Sequence, residues 1–278
     1  MPAETIAQNL AFINWTVLAG LAVGSFGAVV VGRLTTDATR GYLAFTAACA
    51  VAFGLLALAS DLALPASVEG SPVTSDSTFD VPRRAALAGF CVLAAGYVVA
   101  LARRSRAPLL GLAGLAAGVA VLLLGALAWG TDLLSAVPLF VQLVVLAAAT
   151  GGVFAAMVLG HWYLVTPKLG EGPLILFARL LTGVVGLQLV LFGVWVATGA
   201  GPGGSAPFAM LGGEWALFVW LRLLVGLVFP LVVSWAALQT AQTRSMESAT
   251  GLLYIGVGSI AAGTILASGL YFGAGLLV

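Results

Sequence analysis

Eight long apolar runs constrain this chain more than any other feature. A transmembrane helix needs about 20 mostly apolar residues to cross about 30 Å of hydrocarbon, and charged or turn-forming residues separate eight runs of that kind. The runs lack the apolar/polar alternation of a β-barrel, so they predict helices. The predicted spans cover approximately 10–32, 42–64, 85–102, 107–130, 134–160, 173–197, 215–238 and 250–277.

Composition supports an all-α integral membrane protein and excludes several functions. Hydrophobic residues make up 62% of the 278 residues and charged residues 8%, against about 25% charged in soluble domains. A formal net charge of +1 does not provide the basic surface that nucleic acid requires. One histidine and two cysteines cannot supply a bis-histidine haem, an iron–sulfur cluster or a zinc site within the chain. The lipid bilayer is therefore the first expected partner.

The distribution of basic residues predicts the orientation. Cytoplasmic loops of membrane proteins carry an excess of Lys and Arg. Alternate loops here hold most of the basic residues, while the others hold mainly acids, with Arg83 and Arg84 as exceptions. The acidic start of the chain, with Glu4, does not resemble a signal peptide, so we expect the first span to be retained. The sequence thus predicts a multi-pass plasma-membrane protein with both termini outside. The predicted cytoplasmic basic residues are Arg33, Arg40, Arg103, Arg104, Arg106, Lys168 and Arg244.

An internal duplication is the second architectural prediction. Residues 24–33 align with residues 152–161, which matches Phe26 to Phe154. Two tandem four-helix halves would share one orientation and be related by an axis along the membrane normal. The alternative is that apolar segments of this composition align by chance. The predicted halves are residues 1–132 and 133–278 of a single membrane domain.

The segment around His161 is the most distinctive in the chain. His161 ends the predicted fifth span and is followed by Trp162 and Tyr163. Aromatic residues at a membrane boundary ordinarily form an interfacial belt. The functional alternative is a quinone site, in which the imidazole donates to a carbonyl oxygen or passes a proton to it, with Arg179 one helix away. We therefore take these four residues as a candidate site for a non-covalently bound quinone.

A second candidate set lies inside the spans, where ionisable groups are costly to bury. Arg179 and Arg222 each lie about 10 Å deep, near opposite faces. Arg222 either extends to the head groups, forms an ion pair with Asp61, or contacts an anionic or polar ligand. Gln188, near the middle of the sixth span, is expected to form an interhelical hydrogen bond. Arg222, Gln188 and Asp61 are thus the candidate substrate path.

The ion pair between Arg222 and Asp61 is predicted as part of an outer cluster. The other members of this cluster are Arg84 and Asp132. Pairing within the cluster would compensate the charges, and such pairs are commonly structural.

Three classes of function remain. The first is a quinone-interacting or anchoring subunit of a redox assembly without its own haem, with partner subunits that carry the redox centres. Its general plan resembles the NrfD and PsrC type of quinone-interacting subunit, by architecture alone. The second is a channel or uncoupled transporter for a small neutral or anionic solute, since no carboxylate lies near the centre of a span. The third is a structural or assembly protein. The sequence shows no self-contained catalytic site, so an enzymatic role is at most that of an oxidoreductase subunit.

Overall fold

The protein is helical throughout its membrane-spanning part. A computed structural model describes residues 1–66, 68, 70–105, 107–130, 132–166 and 169–278. Across these residues, eight helices are long and apolar enough to cross a membrane, and no strand is present. The predicted all-α fold with eight transmembrane helices is therefore confirmed. Arg106 and Lys168, which contribute to the predicted orientation, lie outside the described residues.

The spanning helices follow a short first helix, α1. A π-helical segment, Leu224–Val228, connects α8 to α9, so that these three pieces form one span. The bounds are Pro2–Gln8 (α1), Leu10–Thr35 (α2), Arg40–Leu62 (α3), Asp80–Ala102 (α4), Pro108–Trp129 (α5), Leu133–Val165 (α6), Gly172–Thr198 (α7), Ala216–Leu223 (α8), Phe229–Gln242 (α9) and Met246–Ala274 (α10).

The four spans of each half pack as a ring. In the first half each of α2, α3, α4 and α5 packs against the next, and α5 returns to α2. In the second half α6, α7, α9 and α10 follow the same order, and α10 returns to α6. This is the arrangement that a duplicated chain would have, and the duplication itself stays a prediction.

The two rings meet where α2 crosses α6. A Cβ atom on Gly24 would lie 1.8 Å from the Ala147 carbonyl oxygen, and one on Gly151 would lie 2.1 Å from the Ser25 nitrogen. Glycine permits this backbone approach, and close packing is the main attraction between helices in lipid. The halves are therefore joined by direct backbone contact.

Two helices extend beyond their predicted ends. The third span begins at Asp80 instead of residue 85, and the fifth continues to Val165 instead of residue 160. Asp76 caps a turn that leads directly into α4. The extensions place Arg83 and Arg84 inside α4, and His161 inside the last turns of α6. The Asp61 end of the bundle is the one where α3 ends. The Arg33 end is the opposite one, where α2 ends.

Candidate functional site

Each half buries one arginine on its third span. Arg83 on α4 and Arg222 on α8 are both 1% exposed. A phenylalanine lies four residues before and seven residues after each of them. Because charge is costly to bury in a membrane, the groups that surround these two arginines are the most informative contacts in the molecule.

Arg83 is neutralised within the first half. Its Nε and Nη2 atoms lie 2.7 and 3.1 Å from the carboxylate oxygens of Asp61. Arg84 Nε and Trp15 Nε1 donate to the same carboxylate at 2.9 and 2.8 Å. The guanidinium carbon also lies 5.0 Å from the centre of the Trp129 ring, a favourable cation–π distance. Its Nη1 atom has no hydrogen-bond partner, but the carboxylate compensates the charge, so Arg83 forms a structural ion pair.

The predicted ion pair between Asp61 and Arg222 is wrong. Arg83 takes that place because α4 begins earlier than the apolar pattern indicates. The predicted proximity of Arg84 to Asp61 is confirmed. Asp132 instead caps α6, accepting a hydrogen bond from the Ser135 backbone at 2.7 Å, and this bond lowers the pKa of its carboxyl group below the usual range.

Arg222 contacts neutral acceptors only. Its Nη2 donates to Gln188 Oε1 at 2.9 Å and its Nη1 donates to the Gly226 carbonyl at 3.2 Å, while its buried Nε has no partner. None of the ion pairs among the described residues includes this arginine. The second half therefore holds a buried cation without an internal counter-ion, and it brings together two of the three predicted substrate-path residues.

The guanidinium lies deep in the membrane. Its Nη1 would be 2.8 Å from a Cβ atom on Gly263, which lies near the middle of α10 (Met246–Ala274). Gln188 likewise lies in the central part of α7. The Arg222 side chain thus turns away from the nearer head groups, so the expectation that it extends to them is wrong.

Local backbone chemistry explains how Arg222 finds its carbonyl partner. Gly226 lies four residues before Pro230, and proline has no N–H to donate to the carbonyl at that distance. The π-helical segment Leu224–Val228 covers this region, and such segments are frequent at functional sites. The Gly226 carbonyl is consequently available to the guanidinium.

Further polar side chains continue from this site through the second half. Thr150 and Thr264 form a buried hydrogen bond across α6 and α10 at 2.9 Å. Nearer the Arg33 end, α10 buries Ser259 and Thr250. A separate cavity of about 570 Å³ lies at that end, and its lining includes Glu171, Glu247 and Arg244, which is ion-paired with Glu171. Buried hydroxyl groups are therefore spaced along α10 between the depth of Arg222 and the Arg33 end.

The middle of the first half has a different character. The Phe26 ring lies 5.5 Å from Phe90 and 5.7 Å from Tyr97, both in edge-to-face contact. These side chains are buried and fill the interior of that ring of helices. The first half is thus packed with aromatic groups where the second half carries amide and hydroxyl groups.

An apolar cluster covers the Asp61 end of the second half. It includes Val219, one turn before Arg222, together with Phe192 of α7. Met210, from the loop before α8, and Leu276, from the segment after α10, complete the cover. Access to Arg222 from this end therefore requires the cover to move.

The four residues of the predicted quinone site are not gathered in one pocket. His161 and Arg179 are exposed, Trp162 packs against aromatic rings of α3, and Tyr163 donates to the Gly170 carbonyl. Among the described residues, no hydrogen bond or ring contact joins any two of the four. The quinone site stays a prediction.

Sequence reasoning missed two participants in the buried sites. Arg83 falls just before the predicted third span, and the acidic residues Asp76 and Asp80 before it are the signal that indicates an earlier helix start. Gly226 is recognisable in retrospect from its spacing to Pro230. Comparisons with protein families, curated proteins and solved structures found no match to this chain.

Proposed function

We propose that the protein is an uncoupled transporter for a small anion, with Arg222 as the group that binds it. The observation that carries the proposal is the burial of this guanidinium in the membrane interior with neutral partners only. An ionisable residue inside a membrane span is a functional candidate by default. An anion at this position would supply the missing counter-charge.

The site favours a small, planar, singly charged anion. The guanidinium presents donors in a planar fork that matches two oxygens of one anion. Gly226 and Gly263 approach each other and the guanidinium closely, which restricts the size of a ligand. Formate and nitrate meet these requirements and serve as probes.

The polar groups of the second half supply a route. Gln188 Nε2 and the hydroxyls of Thr150 and Thr264 donate to backbone carbonyls, and each would exchange that bond for one to an anion that leaves Arg222. Further hydroxyls of α10 lie between this depth and the Arg33 end. The apolar cover at the Asp61 end acts as the gate. Transport is uncoupled because the sequence has no carboxylate near the centre of a span, where proton- or sodium-coupled carriers commonly have one.

The test is formate and nitrate flux into liposomes that contain the purified protein. We expect Arg222→Gln to lower the flux by about 10- to 100-fold, because hydrogen bonds to charged groups contribute about 1.5–3 kcal/mol. Arg103→Gln, at an exposed position, is the matched control and should keep wild-type flux. A folded Arg222→Gln protein with unchanged flux of both anions would refute the proposal.

Quinone binding by a subunit of a redox assembly is the second candidate. The exposure of His161 and Arg179 favours it, since a quinone that diffuses in the bilayer could reach both side chains along the protein surface. Trp162, which is partly exposed, would contact the head group, whereas buried Tyr163 would support the helix end. His161→Ala should weaken the binding of a soluble ubiquinone analogue, and unchanged binding would remove this candidate.

The proposed orientation places the protein in the plasma membrane with Arg33 and Arg103 at the cytoplasmic side and both termini outside. Cysteines introduced singly at Arg103 and Ala206, in a variant without Cys49 and Cys91, would report it. Both positions are exposed and lie in connections between spans. An impermeant thiol reagent added to intact cells should label the cysteine at position 206 and leave the one at position 103 unlabelled.

A further inference from the structure

An apolar groove lies between the two halves of the protein. It has a volume of about 270 Å³ and is lined by residues of α2, α5, α6 and α7. Every lining residue is apolar, and Gly24, Gly27 and Gly152 contribute to it. A Cβ atom on Gly152 would meet nothing within 4 Å. The groove is thus an open apolar recess within the spanning region.

A basic pocket lies at the Arg33 end of the same helices. Its volume is about 410 Å³, and its lining consists of Arg33, Leu34, Arg40 and Pro108. Neither of these arginines takes part in an ion pair among the described residues. The pocket therefore presents two cations to any anion at this membrane surface.

The groove and the pocket are arranged along the same two helices. Val31 lines the groove and Leu34 lines the pocket, and a spacing of three residues places them on one face of α2. On α5, Pro108 lines the pocket and Leu115 lines the groove, a spacing of two helical turns. A single molecule with an anionic head and an apolar tail would fit both.

We propose that the pocket and the groove together bind one anionic phospholipid. Its phosphate contacts Arg33 and Arg40, and one acyl chain lies in the groove between the halves. Charge complementarity selects an anionic head group, because each basic side chain at a membrane surface contributes about 1 kcal/mol to the binding of anionic lipid. The groove selects hydrocarbon because it offers no polar partner. A lipid held there contacts α2 and α5 of one half and α6 and α7 of the other.

Thermal unfolding of delipidated protein in detergent tests this site. We expect added phosphatidylglycerol to raise the melting temperature, and phosphatidylcholine or inorganic phosphate to leave it unchanged. The double variant Arg33→Gln/Arg40→Gln should bind phosphatidylglycerol about 30-fold more weakly. The matched control, Arg103→Gln/Arg104→Gln, removes two exposed arginines at the same end and should retain wild-type affinity.

A second variant tests the acyl chain separately. Gly152→Leu should fill the groove and weaken phosphatidylglycerol binding, while Gly258→Leu, at another glycine without neighbours within 4 Å, should not. Equal stabilisation by phosphatidylcholine would overturn the head-group assignment. Stabilisation by inorganic phosphate alone would overturn the lipid assignment. Full binding by Gly152→Leu would overturn the placement of the chain. None of these results depends on anion transport.

Discussion

Arg83 and Arg222 occupy similar places in the two halves, but among the described residues only Arg83 forms ion pairs. Arg83 has a carboxylate on the preceding span, a tryptophan donor bound to that same carboxylate, and an aromatic ring beside its guanidinium. Arg222 has a glutamine on the preceding span and a backbone carbonyl. The first half shows that this architecture can supply a counter-ion to a buried arginine. The lack of a counter-ion at Arg222 is therefore a property of the Arg222 site and not of the architecture.

The largest effect is expected where the internal ion pair is broken. Asp61→Asn would leave buried Arg83 without its carboxylate, and removing one partner of a buried pair costs about 3–5 kcal/mol of unfolding free energy. Equilibrium unfolding in detergent would measure this loss. Asp80→Asn is the control, because Asp80 is 28% exposed and makes only one bond to Arg83. Equal losses of unfolding free energy for the two variants would show that Asp61 contributes no more than Asp80 to the stability of buried Arg83.

Gln188→Leu is expected to have the next largest effect. It removes the acceptor of a bond to a charged donor, which contributes about 1.5–3 kcal/mol. The variant also loses the bond to the Val145 carbonyl. A double-mutant cycle with Arg222→Met therefore isolates the contribution of the bond between Gln188 and Arg222. Unfolding measurements on all four proteins should give a clear coupling energy. Additive losses would show that the amide does not stabilise the guanidinium.

The helix contact beside Arg222 should be more sensitive than an open position on the same helix. In Gly263→Ala the new Cβ atom would lie 2.7 Å from Gly226 Cα and 2.8 Å from Arg222 Nη1. Overpacking of this kind typically costs about 1–3 kcal/mol, and we expect a lower melting temperature together with reduced anion flux. Gly258→Ala has open space around it and should retain both. A stable, active Gly263→Ala protein would show that the close approach is dispensable.

The smallest effect concerns an exposed carboxylate, in contrast to buried Asp61. The Ser135 backbone donor lowers the pKa of Asp132, so the ionised form contributes stability above the ordinary carboxylate pKa. That contribution is lost as acidification passes through the lowered pKa. Asparagine can also cap a helix, so Asp132→Asn should have a slightly lower melting temperature at neutral pH and no difference in acid. A difference that grows in acid would have the wrong sign.

The eight spans could be predicted because long apolar windows have few other stable arrangements. The start of α4 was missed because Arg83 and Arg84 interrupt such a window. In the folded protein their charge is compensated by Asp61, so they remain helical and one of them is buried. A hydropathy average along one segment cannot detect a counter-ion that lies on another helix.

The candidate sites could be predicted only in part, for geometric reasons. His161, Trp162 and Tyr163 are adjacent in sequence, but α6 continues through them, and successive residues on a helix point in different directions. The pairing of Arg222 with Gln188 also could not be read from depth along each span. The arginine side chain extends towards the membrane centre, against the usual direction towards the head groups.

Titration of nitrogen-15-labelled arginine side chains by NMR tests the role of Arg222 most directly. The spectrum of the detergent-solubilised protein reports both buried guanidinium groups, with Arg222→Lys and Arg83→Lys providing the assignments. Added formate should move the Nε resonance of Arg222 in a saturable manner and leave that of Arg83 in place. An anion site at Arg222 would be contradicted if neither Nε resonance shifts, or if both shift to the same extent.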